Sequence, residues 1–255
     1  MKIVYFGSSE FSKWVLPYLK DFEVELIVDE NTPLEKVFQT KAEVAVLAAY
    51  GKILPKKVLE HFNSGILNIH PSLLPKYRGP SPVQTAILNG DKKTGVTVIR
   101  LDEEMDHGPI LGQEEIEISK NDTAQTLYEK LFPLGAKIIA KNLDKYVKSE
   151  VKLTWQSHEG ATYTKILKRE DGFVNLSEVG NQQSVIERKI RAYYPWPGVW
   201  GKFRIQNSES KIIKFLPGKR IQVEGKKAVN YKDFINGYPD IDKRLLELLK
   251  WRIDK

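Results

Sequence analysis

Along the first 150 residues, apolar positions come in short runs of strand length, each followed by a turn and a stretch of helical spacing. Lys2–Phe6 (KIVYF) is β-branched and aromatic and ends in Gly7-Ser8-Ser9. From Glu10 to Lys20 the apolar residues Phe11, Trp14, Val15, Tyr18 and Leu19 return at the spacing of one helix face, with Ser8 or Ser9 as a cap. Further strands are predicted at Val24–Val28, Val44–Ala48 and Ile66–Ile69. Thr32-Pro33 opens a short helix, and others are predicted at Lys56–His61 and Pro82–Leu88. Strand alternating with helix predicts an α/β fold with a parallel sheet covered by helices. Two more strands, Gly95–Leu101 and Ile110–Ile118, flank an acidic turn. A long amphipathic helix, Thr123–Tyr146, capped from Asn121-Asp122-Thr123, closes the first domain.

Beyond about Val151 the pattern changes. Apolar runs shorten and turns crowd in at Pro195-Trp196-Pro197-Gly198, Asn207-Ser208, Pro217-Gly218 and Glu224-Gly225, with one helix predicted over Gln183–Tyr193. Short strands between regular turns predict a small β-barrel or sandwich. The chain therefore reads as two domains, 1–150 and 151–255, with the boundary near Lys148–Ala161.

Composition narrows the class. A chain of 255 residues can bury a sizeable core, and no apolar run approaches the roughly 20 residues that span a membrane. The opening strand is too short for an export signal, so a cytoplasmic protein with no membrane partner is expected. There is no cysteine, which removes disulfides and thiolate metal sites. The net charge of +7 is unevenly spread. Residues 1–150 hold 19 basic and 21 acidic side chains, a net of −2, and residues 151–255 hold 21 and 12, a net of +9. A basic second domain points to a polyanionic partner or to a solvated, lysine-rich surface.

Three segments carry candidate chemistry. Gly7-Ser8-Ser9 lacks the second and third glycines of a dinucleotide fingerprint, so a tight strand-to-helix turn is preferred to a nicotinamide or flavin site. In Leu67–Pro75, strand alternation projects Asn68 and His70 to one face and Leu67 and Ile69 to the other. The pair then lies at a strand's carboxyl end, where open α/β sheets bind ligands. It serves chemistry there or is merely a polar pair satisfied by backbone. In Asp102–Gly108, five ionisable groups fall within six residues. They form a metal cluster, a solvated acidic turn, or a carboxylate partner for His70.

Together, Asn68-x-His70-Pro71-Ser72-Leu73-Leu74-Pro75-x-Tyr77-Arg78-Gly79, Gly95-Val96-Thr97 and Met105-Asp106-x-Gly108-Pro109-Ile110 resemble the 10-formyltetrahydrofolate-dependent formyltransferases. The resemblance implies a Rossmann-like formyltransferase domain with a mostly parallel sheet. It also implies 10-formyltetrahydrofolate as co-substrate, no metal, and a catalytic trio of Asn68, His70 and Asp106. Folate contacts are implied at Tyr50 and Gly51, at Ser72, Leu73, Leu74 and Pro75, and at Leu101, Asp102 and Glu103.

Within the family, Thr162–Leu167, Ile190-Arg191-Ala192-x-x-Pro195-Trp196-Pro197 and the tail Gly225–Gly237 are similar to the branch that formylates methionyl-tRNA. That branch implies an OB-like β-barrel touching tRNA, initiator methionyl-tRNA as partner in translation initiation, and a monomer. One segment departs from it. Only 13 residues, Asp29–Lys41, separate the second strand from the third, where that branch usually carries a long basic loop. A nucleotide-sugar amine therefore stays open as the acceptor. A basic RNA-binding module without catalysis is a third reading, and the intact trio argues against it. Tyr193, Tyr194, Trp196 and Trp200 either stack bases or pack a barrel corner.

Overall fold

The apolar runs of the first half pair edge to edge in the computed structural model, which describes residues 1–175, 183–206 and 209–254. β1 (Lys2–Phe6), β2 (Glu23–Val28), β3 (Val44–Leu47), β4 (Ile66–His70), β5 (Lys93–Arg100) and β6 (Ile110–Glu117) form one sheet in the order β2-β1-β3-β4-β5-β6. The first four strands are parallel. β5 runs antiparallel to β4 and to β6, so the sheet is mostly parallel, as expected, with an antiparallel flank. The direct connection from β5 to β6, with no crossover helix, permits only that orientation.

The helices are α1 (Lys56–Leu59), α2 (Pro82–Asn89) and α3 (Ala124–Val147). The segment Glu10–Lys20 is not the single amphipathic helix its periodicity predicts. It folds as two 3-10 turns, Glu10–Trp14 and Leu16–Leu19. Pro17 has no amide to donate to Lys13, and its ring crowds that carbonyl, which weighs against a continuous α-helix in so short a segment. The expected cap is present, with Ser9 Oγ accepting from the Ser12 amide at 3.3 Å. Thr32-Pro33 likewise opens a 3-10 helix, Leu34–Gln39.

Both faces of the sheet are buried. Val4, Phe6, Ala45 and Ile66 share one face with Val28, Val37, Val58 and Phe62. On the other face, α3 lays Gly135 so close over β4 that an added Cβ would overlap the Ile69 side chain. β4 is buried along its whole length, the mark of a central strand. Its alternation sends Leu67 and Ile69 toward α3, and sends Asn68 and His70 to the face of Ile66.

The first compact unit comprises residues 1–86, 92–118 and 126–166. Its last segment is held by two isolated bridges, Ile110 to Thr154 and Arg78 to Tyr163. The second unit comprises residues 87–91, 119–125 and 167–255. It contains an antiparallel sheet, β10-β9-β8-β7, built from β7 (Val199–Gln206), β8 (Glu209–Leu216), β9 (Arg220–Val223) and β10 (Val229–Asn230). The turns at Pro217-Gly218 and Glu224-Gly225 are where the pattern put them, with Gly218 and Gly225 at φ +71° and +74°. The turn expected at Asn207-Ser208 lies outside the described residues.

α4 (Gln183–Ala192) matches its expected position. α5 (Tyr231–Gly237) and α6 (Lys243–Asp254) were not expected. α5 starts because Asn230 Oδ1 accepts from the Asp233 amide at 2.8 Å and caps it. α6 buries Leu245, Leu248 and Leu249 at helical spacing. Among the described residues no helix is long and apolar enough to cross a membrane.

Candidate active site

Asn68 and His70 are buried at the end of β4 with polar groups directed to one carboxylate. Asn68 Nδ2 lies 3.4 Å from Asp106 Oδ1, and His70 Nδ1 lies 3.5 Å from Asp106 Oδ2. The backbone N–H of Gly79 donates to Asp106 Oδ2 at 2.7 Å. His70 Nε2 lies 2.9 Å from the Tyr77 carbonyl oxygen. A carbonyl only accepts, so Nε2 carries the hydrogen and Nδ1 is the nitrogen turned to Asp106.

The loop that brings Asp106 here doubles back over the sheet. Because β5 runs against β4, Leu101 starts at the far end of β4, where its amide donates to the Ile66 carbonyl at 2.8 Å. The chain then returns across the face of Asn68 and His70. The acidic turn divides its groups on the way. Asp102 accepts from His107 Nδ1 at 2.7 Å, and Glu103 pairs with Lys56 on the surface at 2.6 Å. Only Asp106 meets the β4 pair. Among the described residues no group of three or more His, Cys, Asp or Glu side chains is arranged to hold a metal.

Backbone strain gathers at the same place. Five non-glycine described residues have left-handed φ, and three of them are Ala49 (+49°), Tyr77 (+64°) and Asp106 (+49°). Such a conformation costs about 1–2 kcal/mol for a residue with a side chain. The surrounding bonds hold it: the Tyr77 carbonyl and Gly79 amide grip His70 and Asp106, as described. Gly108 lies so close beneath the Arg100 carbonyl that any Cβ would overlap it.

The remaining expected residues lie in three loops. Ser72–Pro75 follows β4 and is pinned by Thr97 of β5. Thr97 Oγ1 donates to the Ser72 carbonyl at 2.6 Å and accepts from the Leu74 amide at 3.1 Å. Gln113 of β6 donates to Thr97 Oγ1 at 2.7 Å and to the Leu74 carbonyl at 3.1 Å. Tyr50 and Gly51 follow β3. The Tyr50 ring is committed to the core beside Phe6, while its carbonyl accepts from Ser8 Oγ at 2.7 Å and Gly51 is exposed at φ +76°. Leu101 and Asp102 are half-buried and Glu103 is exposed.

Two neighbours of the trio had no role in the sequence reading. Arg78 is buried, and its Nη2 donates to Gln156 Oε1 at 2.7 Å. Gln156 Nε2 donates in turn to the carbonyls of Asp106 at 2.9 Å and Gly108 at 2.8 Å. Arg78 stands inside the quoted motif. Gln156 stands alone, 50 positions after Asp106.

Comparison with known proteins agrees with this architecture. A family model described as formyl transferase matches residues 19–143. The methionyl-tRNA formyltransferase of Thermodesulfovibrio yellowstonii is 39% identical over 240 residues, covering 84% of this chain and 76% of that protein. That of Chloroflexus aggregans is 46% identical over 173 residues, covering 68% of this chain and only 55% of that protein's length. Among solved structures, the methionyl-tRNA formyltransferase of Clostridium thermocellum shares the fold with a TM-score of 0.67 at 21% identity, over 95% of this chain and 98% of that one. An N-formyltransferase from Helicobacter canadensis, solved with folinic acid and dTDP-3-aminofucose, gives 0.65 at 19% identity, over 88% of this chain and 95% of that one. The chain belongs to the methionyl-tRNA formyltransferase family.

Proposed function

We propose that this chain transfers the formyl group of 10-formyltetrahydrofolate to the amino group of initiator methionyl-tRNA, with Asn68, His70 and Asp106 at the reacting centre. The observation that carries the reading is the convergence of Asn68 and His70, buried at the end of β4, with Asp106 from the loop after β5, in a chain of this family. The co-substrate supplies the formyl carbon and the leaving nitrogen. When the amine attacks that carbon, the new C–N bond places negative charge on the formyl oxygen. Asn68 Nδ2 donates to that oxygen, and one such donor is worth about 10²–10³ in rate. With Nε2 held by the Tyr77 carbonyl, the proton shed by the amine is handled at His70 Nδ1 and Asp106, and it returns to the leaving nitrogen as the old C–N bond breaks.

The pterin is assigned to the loops Tyr50-Gly51, Ser72–Pro75 and Leu101–Glu103, a reading supported by the half-buried Leu73 and Leu101 and by Ile53, which is 90% exposed. In the second unit we read the four-stranded sheet as the wall of an OB-like barrel whose excess of basic side chains meets tRNA phosphates. The enzyme acts as a cytoplasmic monomer.

A second reading has its own observation. Asp29–Lys41 is short and closes on itself, with Asp29 Oδ1 accepting from Asn31 and Thr32, so it offers no long basic loop to tRNA. A nucleotide-sugar amine is then the acceptor.

One assay decides. Protein and 10-formyltetrahydrofolate are mixed with charged initiator Met-tRNA, elongator Met-tRNA or amino-sugar nucleotides. Transfer to initiator Met-tRNA alone is expected, and transfer to a sugar alone would overturn the acceptor. His70→Ala and Asp106→Asn are expected to lose most turnover while folding normally. Wild-type rates for either would refute the reacting centre.

A further inference from the structure

Arg78 is the largest side chain sealed inside the protein, 2% exposed, and no carboxylate pairs with it among the described residues. Its partners are neutral: Gln156 Oε1 at 2.7 Å, His158 Nδ1 at 2.8 Å and Tyr163 Oη at 3.3 Å. Its Nε is buried without a partner. A guanidinium is always charged, and burying it without a counter-ion is costly. Local violations of this kind concentrate where function requires them.

The two residues flanking Arg78 show what the arrangement holds. Tyr77 gives its carbonyl to His70 Nε2, and Gly79 gives its amide to Asp106 Oδ2. Fixing the Arg78 side chain therefore fixes both backbone groups that orient the His70–Asp106 pair. Gln156 closes the loop from the other side. Its oxygen takes the guanidinium, and its nitrogen spends both hydrogens on the carbonyls of Asp106 and Gly108. A flipped amide would set N–H against N–H at Arg78 and oxygen against oxygen at the two carbonyls, so only this orientation fits. The Asp106 turn is strained, and Gln156 is the side chain that spans it.

We propose that Arg78 and Gln156 are positioning residues for the reaction. Acting through the backbone of Tyr77, Gly79, Asp106 and Gly108, they set the geometry of the His70–Asp106 pair without touching either substrate. The inference rests on the formyl-transfer reading above. It predicts loss in kcat, because a misplacement of about 1 Å at the reacting groups costs roughly 10²-fold, while substrate affinity is untouched.

The decisive variant is Gln156→Glu. It keeps an oxygen for Arg78 and adds the counter-charge the guanidinium lacks, but it takes both N–H donors from the Asp106 turn. Arg78→Met is measured beside it, and His70→Ala serves as the reference. Turnover is scored per folded molecule, from thermal melts and folate-binding stoichiometry. The expected result for Gln156→Glu is a kcat lower by about 10²-fold, with KM for folate and for the amine within about twofold of wild type. Wild-type kcat, or a loss carried by KM, would overturn the proposal. If Arg78→Met does not fold, Gln156→Glu decides alone. Full turnover by Gln156→Glu beside a dead His70→Ala refutes the positioning role and leaves the reacting centre standing. Wild-type turnover by His70→Ala overturns both.

Discussion

Thr97→Val isolates the bonds that hold the loop after β4. Thr97 is fully buried in β5, opposite His70. Its hydroxyl serves three partners: the Ser72 carbonyl at 2.6 Å, the Leu74 amide at 3.1 Å and Gln113 Nε2 at 2.7 Å. Valine has nearly the same shape, so the packing change is small and the loss falls on hydrogen bonding. Gln113 keeps its bond to the Leu74 carbonyl. The Ser72 carbonyl and Leu74 amide lose their partner inside the protein, and each buried unpaired group costs about 1–3 kcal/mol. The expected total is about 2–6 kcal/mol, a drop in Tm on the order of 10 °C for a unit of this size. The same loop is the proposed folate contact, so KM for 10-formyltetrahydrofolate should rise while the His70–Asp106 pair is undisturbed. Melts with and without folate, together with steady-state kinetics, read both effects. Thr97→Ser keeps the hydroxyl and loses one methyl, at about 1 kcal/mol. If Thr97→Val melts with wild type, or if Thr97→Ser loses as much as Thr97→Val, the hydroxyl does not hold the loop.

Two further outcomes test the packing. Gly135→Ala drives a Cβ into Ile69 between α3 and β4, and should cost about 1–3 kcal/mol by overpacking; an unchanged denaturation midpoint would refute the close approach. Burial pushes the Tyr128 phenol up to about 12, from an ordinary value near 10, against Phe11 at 4.7 Å. Its folded value is the raised one, so its contribution is fully present below pH 10 and is lost as pH rises through 12. That loss should approach about 3 kcal/mol, with Tyr5 and Tyr146 shifted in the same direction by burial. Tyr128→Phe should flatten the fall in Tm between pH 9 and 11, and an equally steep fall in that variant would assign the effect elsewhere.

What could be read in the chain, and what could not, follows from the range of each interaction. The strands were readable because their period is local. Ile66, Asn68 and His70 alternate with Leu67 and Ile69, and that alone placed the polar pair on one face. The apolar spacing of Phe11 to Leu19 predicts one helix, and Pro17 within it is the local reason the structure has two 3-10 turns instead. α6 was hidden in plain sight, since Leu245, Leu248 and Leu249 have helical spacing in a stretch otherwise rich in turns. The meeting of Asp106 with His70 is different in kind. It depends on a loop that leaves from the far end of β4 and comes back, and no periodicity encodes such a return; the resemblance to a family supplied it. Gln156 had no signal, because it lies in an irregular segment with no strand or helix period of its own. The groups it serves are carbonyls, which every residue carries. Backbone atoms orient His70 and Asp106, and backbone atoms have no letter in the sequence. A site built this way shows its reacting side chains in the sequence and conceals the side chains that aim them, because Arg78 and Gln156 connect to the trio only through backbone atoms.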